Sequence, residues 1–205
     1  MRTLPTPPIG STEFLGRLRP VLTESEFENI ETAYAFSKYA HRGQERASGV
    51  RYFEHPKAVA WIIVDELRFV DWSMIAMALL HDVLEDTYLL SRRRMEINFG
   101  REVAVGIQLL SKQGGDTHLE YIDRLRTYGS WQTKVVKMAD RLHNLRTLDA
   151  CEAAKRVRKR AETREHYLPI ATGLVTQVPR EHVDSIVRLN IELDSLSSPV
   201  DSAHV

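Results

Sequence analysis

Residues 74–86, Met-Ile-Ala-Met-Ala-Leu-Leu-His-Asp-Val-Leu-Glu-Asp, decide both the fold and the candidate site of this chain. The first seven of these residues are apolar, and a helix that is apolar on every side must be buried. Asp71 precedes the run and is a residue type that caps helix N-termini. The stretch therefore predicts a central helix that other elements surround.

Helical spacing continues on both sides of this stretch. Thr23 and Glu26 form a capping-box pattern, and Pro56 suits the first turn of a helix that runs to Leu67. Further helices are predicted at about 89–99, 101–110, 119–127, 133–148, 150–168 and 181–193. Because no alternating strand of useful length is present, we expect an all-α fold, a single bundle of roughly eight to ten helices.

Composition limits the class of protein. The chain has 205 residues with 28 basic and 28 acidic side chains, and this zero net charge argues against a nucleic-acid partner. The single cysteine excludes an intramolecular disulfide and a cysteine-based zinc cluster. No apolar run approaches the ~20 residues that span a membrane, and no signal peptide is evident. We expect a cytoplasmic protein with no membrane partner, and a homo-oligomer stays open.

The ends of the chain differ in composition from its middle. Three prolines fall within residues 5–8, and the last residues are rich in serine and aspartate. We therefore expect an N-terminal arm over 1–20, one helical domain over 21–195 and a flexible C-terminal tail over 196–205.

The polar end of the central helix carries His81, Asp82, Glu85 and Asp86. His81 with Glu85, and Asp82 with Asp86, are i,i+4 pairs that share a helix face. Buried charges without partners cost several kcal/mol, so either the helix emerges into solvent here or a cation lies nearby. Two further segments favour the cation.

His55 stands directly before a predicted helix start, and Asp140 ends another apolar stretch. Together with His81 and Asp82, these residues make a set of two histidines and two aspartates on three helices. Such mixed nitrogen and oxygen ligands suit Mn²⁺, Fe²⁺, Mg²⁺ or Zn²⁺. On an octahedral ion they leave two positions for water and substrate, as a catalytic site requires.

The segments around these residues carry a family resemblance. They are Ala-His-Arg-Gly-Gln at 40–44, Arg-Ala-Ser-Gly at 46–49, Ala-Leu-Leu-His-Asp-Val-Leu-Glu-Asp-Thr at 78–87 and Lys-Met-Ala-Asp-Arg-Leu-His-Asn-Leu-Arg-Thr-Leu at 137–148. From about Tyr34 to Leu174 the chain resembles HD-domain metal-dependent phosphohydrolases, and in particular the hydrolase domain of the RelA/SpoT family. Because no synthetase segment follows, we expect a stand-alone small alarmone hydrolase.

The resemblance implies a reaction and a set of residues. It implies Mn²⁺-dependent hydrolysis of the 3′-pyrophosphate of guanosine tetra- and pentaphosphate, which yields GDP or GTP plus pyrophosphate. The implied metal ligands are His55, His81, Asp82 and Asp140, and Glu85 with Asp86 would activate the attacking water. The implied nucleotide contacts are Arg46, Ser48, Tyr52, Asn144 and Thr147.

The loop before His55 departs from the family pattern. Ala47 stands where the family often has a basic residue, and Arg51 adds a basic residue nearby. Base selectivity therefore stays open, and hydrolysis of an adenosine alarmone is the alternative. Another HD-type nucleotide phosphohydrolase and a catalytically silent alarmone-binding module are also kept as hypotheses.

Residues 155–160, Lys-Arg-Val-Arg-Lys-Arg, form the strongest local charge cluster of the chain. This run suits a solvated helix face, an anion-attracting rim for the substrate phosphates or a nucleic-acid patch. The acidic residues that follow it and the zero net charge of the chain count against nucleic acid.

Overall fold

A computed structural model describes residues 10–87 and 91–198 of the chain. The elements up to the central helix are α1 (Ser11–Leu18), α2 (Glu24–Ala40), α3 (Glu54–Trp61), a π turn (Ile62–Glu66) and α4 (Trp72–Leu80). Next come α5 (Val83–Asp86), α6 (Arg92–Leu110), α7 (His118–Tyr128), α8 (Trp131–Arg146) and a 3-10 turn (Leu148–Ala150). The last are α9 (Ala153–Glu162), a π turn (Thr163–Tyr167), α10 (Leu168–Leu174), a 3-10 turn (Arg180–His182) and α11 (Val183–Ser197).

The predicted all-α class is confirmed. Within the described ranges the only extended pairing is an isolated antiparallel bridge between Glu45 and Arg51. No described helix combines the length and the apolar character that crossing a membrane requires.

Helix α4 is the central helix that the sequence predicts. The Asp71 side chain caps it by accepting the backbone N–H groups of Ser73 and Met74, and residues 73–80 are all buried. The helix packs against α2, α3, α6 and α8. Burial on every side explains the continuous apolar run and fixes where the polar end, beginning at His81, emerges.

Several helix boundaries follow the sequence signals. Both halves of the Thr23–Glu26 capping box are formed at α2. The predicted break after residue 99 occurs at Gly100, whose φ of +80° interrupts α6. The predicted start at Leu89 lies outside the described residues.

The N-terminal segment differs from the expected arm. Residues 11–18 form helix α1, and its Phe14 and Leu18 are fully buried. The Phe14 ring lies 5.6 Å from the ring of Tyr34 and 6.4 Å from that of Trp61. The i,i+4 spacing of two apolar residues was sufficient to dock a short helix, because α2 and α3 present aromatic partners to it.

The C-terminal boundaries also differ from those expected. Helix α11 extends to Ser197, past the expected domain end at residue 195, and residues 199–205 lie outside the described ranges. The helix predicted for 150–168 begins at Ala153, and the π turn continues it directly into α10.

An ion-pair cluster fixes the C-terminal end of α8. The Arg146 guanidinium donates to both Glu66 oxygens at 2.7 Å and to Glu192 at 2.8 and 2.9 Å. These bonds tie α8 to the first π turn and to α11, and bidentate pairs of this kind hold a defined geometry. Helix α8 is thereby anchored, and it carries Asp140 toward α3 and α4.

Candidate metal centre and nucleotide cavity

A cavity of about 690 Å³ opens where α3, the end of α4 and α8 meet. His55 enters it from the first turn of α3, Asp82 follows the end of α4, and Asp140 comes from α8. His81 directly precedes Asp82 in the sequence and is 1% exposed. The structure thus brings together all four residues that the sequence suggested as metal ligands.

The distances within this group are short. His55 Nε2 lies 3.1 Å from Asp140 Oδ1 and 3.6 Å from Asp82 Oδ2, and His81 Nε2 lies 3.2 Å from Asp82 Oδ1. One ligand atom from each of His55, His81 and Asp82 can be chosen so that all lie within 4.8 Å of one another. Asp140 lies beside this group of three, with its Oδ1 3.7 Å from His81 Nε2.

His81 provides the clearest sign that a cation fits. Its Nδ1 donates to the backbone oxygen of Ala78 at 2.7 Å, because a carbonyl oxygen can only accept. Its Nε2 is buried and makes no hydrogen bond within the described parts of the chain. A buried ring nitrogen without a hydrogen bond, facing two carboxylates, is the arrangement of a histidine metal ligand.

The electrostatics of the group favour positive charge. Burial opposes protonation of His81, but the Asp82 and Asp140 carboxylates and the Ala78 carbonyl together outweigh burial and raise the pKa of His81 to about 9. Burial likewise opposes ionisation of Asp140, yet the Lys137 ammonium at 2.9 Å holds the pKa of Asp140 well below its usual range. The charge of His81 outweighs burial at Asp82 and holds the pKa of that carboxyl below its usual range. Both carboxylates are therefore ionised near neutral pH, and a field that favours a proton on His81 also favours a divalent cation.

The His143 ring forms a hydrogen bond with the His55 ring. Their Nδ1 atoms are 2.8 Å apart, so one ring must donate to the other. Burial lowers the pKa of His55 to about 4 and that of His143 to about 2, which keeps both rings neutral at pH 7. A neutral His55 that donates through Nδ1 presents a lone pair on Nε2, as metal binding requires.

The two acidic residues expected to activate water are placed differently. Glu85 lines the cavity, and its Oε2 accepts the backbone N–H of Lys112 at 2.9 Å. Asp86 is not part of the lining formed by the described residues, and its side chain lies against the Tyr52 hydroxyl. Burial and the charge of Asp82 raise the pKa of Asp86.

The five expected nucleotide contacts, Arg46, Ser48, Tyr52, Asn144 and Thr147, all line the cavity. Several of them also hold one another or the metal group. Arg46 Nη2 donates to Asn144 Oδ1 at 2.7 Å, and the Tyr52 hydroxyl donates to Asp82 Oδ2 at 2.9 Å. Thr147 donates to the backbone oxygen of His143 at 3.0 Å.

Sequence reasoning missed Lys112, Lys137 and Arg141, which line the cavity. Lys155, Arg158 and Lys159 of α9 also line it, and they belong to the charge cluster for which the sequence left an anion-attracting rim as one of three interpretations. On α8 the signal was present, because residues 137, 140, 141 and 144 are spaced i, i+3, i+4 and i+7 and so share one helix face. With Arg46, seven basic side chains line the cavity against five acidic ones, a balance that suits a polyanionic ligand.

Comparisons with known proteins identify the family of this chain. The model of a protein family described as "HD domain" matches residues 33–175. The chain is 34% identical over 200 residues to the GTP pyrophosphokinase rsh of Brucella melitensis, covering 92% of this chain and 26% of that protein. It is 35% identical over 169 residues to the bifunctional (p)ppGpp synthase/hydrolase SpoT of Escherichia coli, covering 77% of this chain and 23% of that protein.

The chain thus spans about a quarter of the length of these relatives. Among solved structures, it is similar to a metazoan ortholog of SpoT that hydrolyses ppGpp, with a TM-score of 0.62 and 24% identity over 82% of this chain and 93% of that one. This likeness supports the fold. The family match covers most of the chain, including His55, His81, Asp82 and Asp140, and the chain therefore belongs to the HD-domain family.

Proposed function

We propose that this protein hydrolyses the 3′-pyrophosphate of guanosine tetra- and pentaphosphate in a Mn²⁺-dependent reaction. The observation that carries the proposal is the buried His/Asp group at one end of a cavity in which basic side chains outnumber acidic ones. The relatives named for (p)ppGpp synthesis and hydrolysis support the choice of substrate.

Four residues would hold the metal: His55, His81, Asp82 and Asp140. The chemistry that a bound Mn²⁺ supplies is a lowered pKa of water and neutralisation of phosphate charge. Four ligands of mixed nitrogen and oxygen type suit Mn²⁺ and leave room for water and substrate.

Acidic side chains of the protein are proposed to activate the attacking water. Glu85, which lines the cavity, is proposed to accept the proton of the attacking water, with Asp86 as the alternative base. Water oxygen attacks the phosphorus next to the 3′-oxygen, and the bond between that phosphorus and the 3′-oxygen breaks. The 3′-oxygen takes up a proton, so the products are GDP or GTP and pyrophosphate.

Basic side chains are proposed to neutralise the phosphates. Lys137 lies 2.9 Å from Asp140, and Lys112, Lys155, Arg158 and Lys159 also line the cavity. Positive groups fixed near developing negative charge stabilise a phosphoryl-transfer transition state. We therefore propose that Lys155, Arg158 and Lys159 of the charge cluster at residues 155–160 act as an anion-attracting rim.

The nucleoside is proposed to lie against Arg46, Ser48, Tyr52, Asn144 and Thr147. The departures from the family loop bear on base preference. Ala47 lines the cavity and leaves it without a basic group at that position, whereas Arg51 pairs with Glu54 at 2.8 Å and is largely exposed. Arg51 therefore does not replace the missing group inside the cavity.

Product analysis tests the proposal. Metal-stripped protein is incubated with guanosine tetraphosphate, with and without Mn²⁺, beside an Asp82→Ala variant. We expect Mn²⁺-dependent release of GDP and pyrophosphate in equal amounts, and loss of both in the variant. Turnover that yields orthophosphate, or turnover that persists in Asp82→Ala, would contradict the proposal.

The adenosine tetraphosphate analogue, assayed in parallel, separates the two base preferences. We expect the guanosine substrate to have the larger kcat/KM, and the reverse ratio would favour the adenosine alternative. Because the substrate is a cellular nucleotide, the proposal includes the cytoplasmic location that the sequence predicts.

A further inference from the structure

One loop is linked to both carboxylates of the candidate metal group, to Asp82 directly and to Asp140 through Asn144. Residues 44–52 form a closed loop, in which Arg46 N donates to Val50 O and Tyr52 N donates to Gln44 O, each at 2.9 Å. Gly49 has a φ of +77°, which permits the turn between these bonds. The loop is therefore a defined structure before any nucleotide is bound.

The first contact runs from Tyr52. Its hydroxyl donates to Asp82 Oδ2 at 2.9 Å, which leaves Asp82 Oδ1 facing His81 Nε2 at 3.2 Å. The Tyr52 ring stacks on the buried His41 with centroids 4.7 Å apart, and His41 Nδ1 lies 2.8 Å from Gln44 Oε1. The phenol is thus held in place by His41, which contacts Gln44 of the loop, and it orients one oxygen of Asp82.

The second contact runs from Arg46 through Asn144. Arg46 Nη2 donates to Asn144 Oδ1 at 2.7 Å, and Asn144 Nδ2 donates to Asp140 Oδ1. Lys137 holds the other oxygen of Asp140 at 2.9 Å. Both oxygens of this carboxylate therefore have fixed partners, and one of those partners is tied to the loop.

We propose that Tyr52 and Asn144 are positioning residues for the carboxylate ligands Asp82 and Asp140, with Arg46 acting through Asn144. The loop that faces the nucleotide would then form the outer shell of the metal centre. Outer hydrogen bonds of this kind fix the orientation of metal ligands, and their loss lowers metal affinity by about 10- to 100-fold. The inference rests on the metal site of the proposed function, but not on the identity of the nucleotide.

Mn²⁺ titration of metal-stripped protein, followed by electron paramagnetic resonance without nucleotide, tests the inference. For Tyr52→Phe we expect Mn²⁺ affinity to fall by about tenfold or more, because Asp82 loses its orienting donor. Tyr39→Phe is the matched control, since Tyr39 is 54% exposed, and its affinity should equal that of the wild type. Wild-type Mn²⁺ affinity in Tyr52→Phe would overturn the role of Tyr52.

GDP binding without metal gives a second readout on the same variants. A Tyr52→Phe protein that loses GDP affinity but keeps its Mn²⁺ affinity would assign Tyr52 to the nucleotide alone and overturn the inference. Because the Mn²⁺ titration contains no substrate, its failure is distinguishable from failure of the hydrolysis assay. Equal melting temperatures of the metal-free variants exclude a general loss of folding.

A double-mutant cycle tests the Arg46–Asn144 link independently of Tyr52. Asn144→Ala should weaken Mn²⁺ binding by about tenfold or more, and Arg46→Gln by a smaller factor. If Arg46 acts through Asn144, the double variant should bind Mn²⁺ no more weakly than Asn144→Ala alone. Additive losses would show that the two residues act independently, and would overturn the relay.

Discussion

The two ends of the cavity are built in different ways. At the inner end, His55, His81 and Asp140 are 2%, 1% and 4% exposed, and neighbouring side chains or backbone groups hold each of them. At the outer end, helix α9 contributes three basic side chains to the lining but contains no buried residue. One end is part of the core, and the other is part of the surface.

This difference suggests that the inner end performs the reaction and the outer end attracts the substrate. Buried groups with fixed partners are preorganised, so they act on the reacting atoms at little reorganisation cost. Exposed cations on a helix surface are screened by salt, and each contributes modestly to binding. We expect changes at the inner end to alter kcat, and changes at the outer end to alter KM.

The largest effect is expected from removing an inner histidine. His81→Ala should lower kcat by at least about 10³-fold, since metal chemistry supplies several kcal/mol of transition-state stabilisation. His166→Ala is the matched control, because His166 lies outside the cavity lining that the structure describes. Steady-state kinetics at saturating Mn²⁺ would measure kcat of both variants. Similar kcat values for the two would contradict the expectation that changes at the inner end lower kcat.

A smaller effect is expected from the proposed base. Glu85→Gln should lower kcat by about 10²-fold, because a positioned base contributes at least that much to proton transfer. Mn²⁺ affinity should stay near the wild-type value, since Glu85 is not among the proposed ligands. Asp86→Asn is the companion variant, and a larger loss of kcat in it than in Glu85→Gln would transfer the role to Asp86.

The smallest effect is expected at the rim. The double variant Lys155→Ala with Arg158→Ala should raise KM by about three- to tenfold with little change in kcat, because each exposed charge is worth less than about 1 kcal/mol. The rise should shrink as ionic strength increases. The double variant Arg92→Ala with Arg93→Ala, at two exposed arginines on α6, is the charge-matched control. A fall in kcat without a change in KM would show that α9 takes part in the chemistry.

Much of the inner end could be predicted from the sequence, for a physical reason. The apolar run at 74–80 forces burial of α4, so the polar residues at its end had to find partners inside the protein. The Asp71 cap, the Thr23–Glu26 capping box and the break at Gly100 are also local signals, and the structure contains all three. Local rules work where neighbouring residues determine the conformation.

The remaining features depend on contacts between distant parts of the chain. The bond between Arg46 and Asn144 joins residues 98 positions apart, and no local pattern reveals it. Docking of α1 depended on aromatic rings that α2 and α3 present to Phe14. Helix α9 packs against α11 and against the π turn that follows α9, and these contacts set which side of α9 faces the cavity. The spacing of residues within α9 does not determine this orientation.

Pulsed electron paramagnetic resonance of Mn²⁺ bound to the metal-stripped protein tests whether the His/Asp group holds the metal. We expect one Mn²⁺ per chain with magnetic coupling to the imidazole nitrogens of two histidines. We also expect His55→Gln to remove one of these couplings and leave the other. Tight Mn²⁺ binding without imidazole coupling, or coupling that is unchanged in His55→Gln, would contradict this expectation.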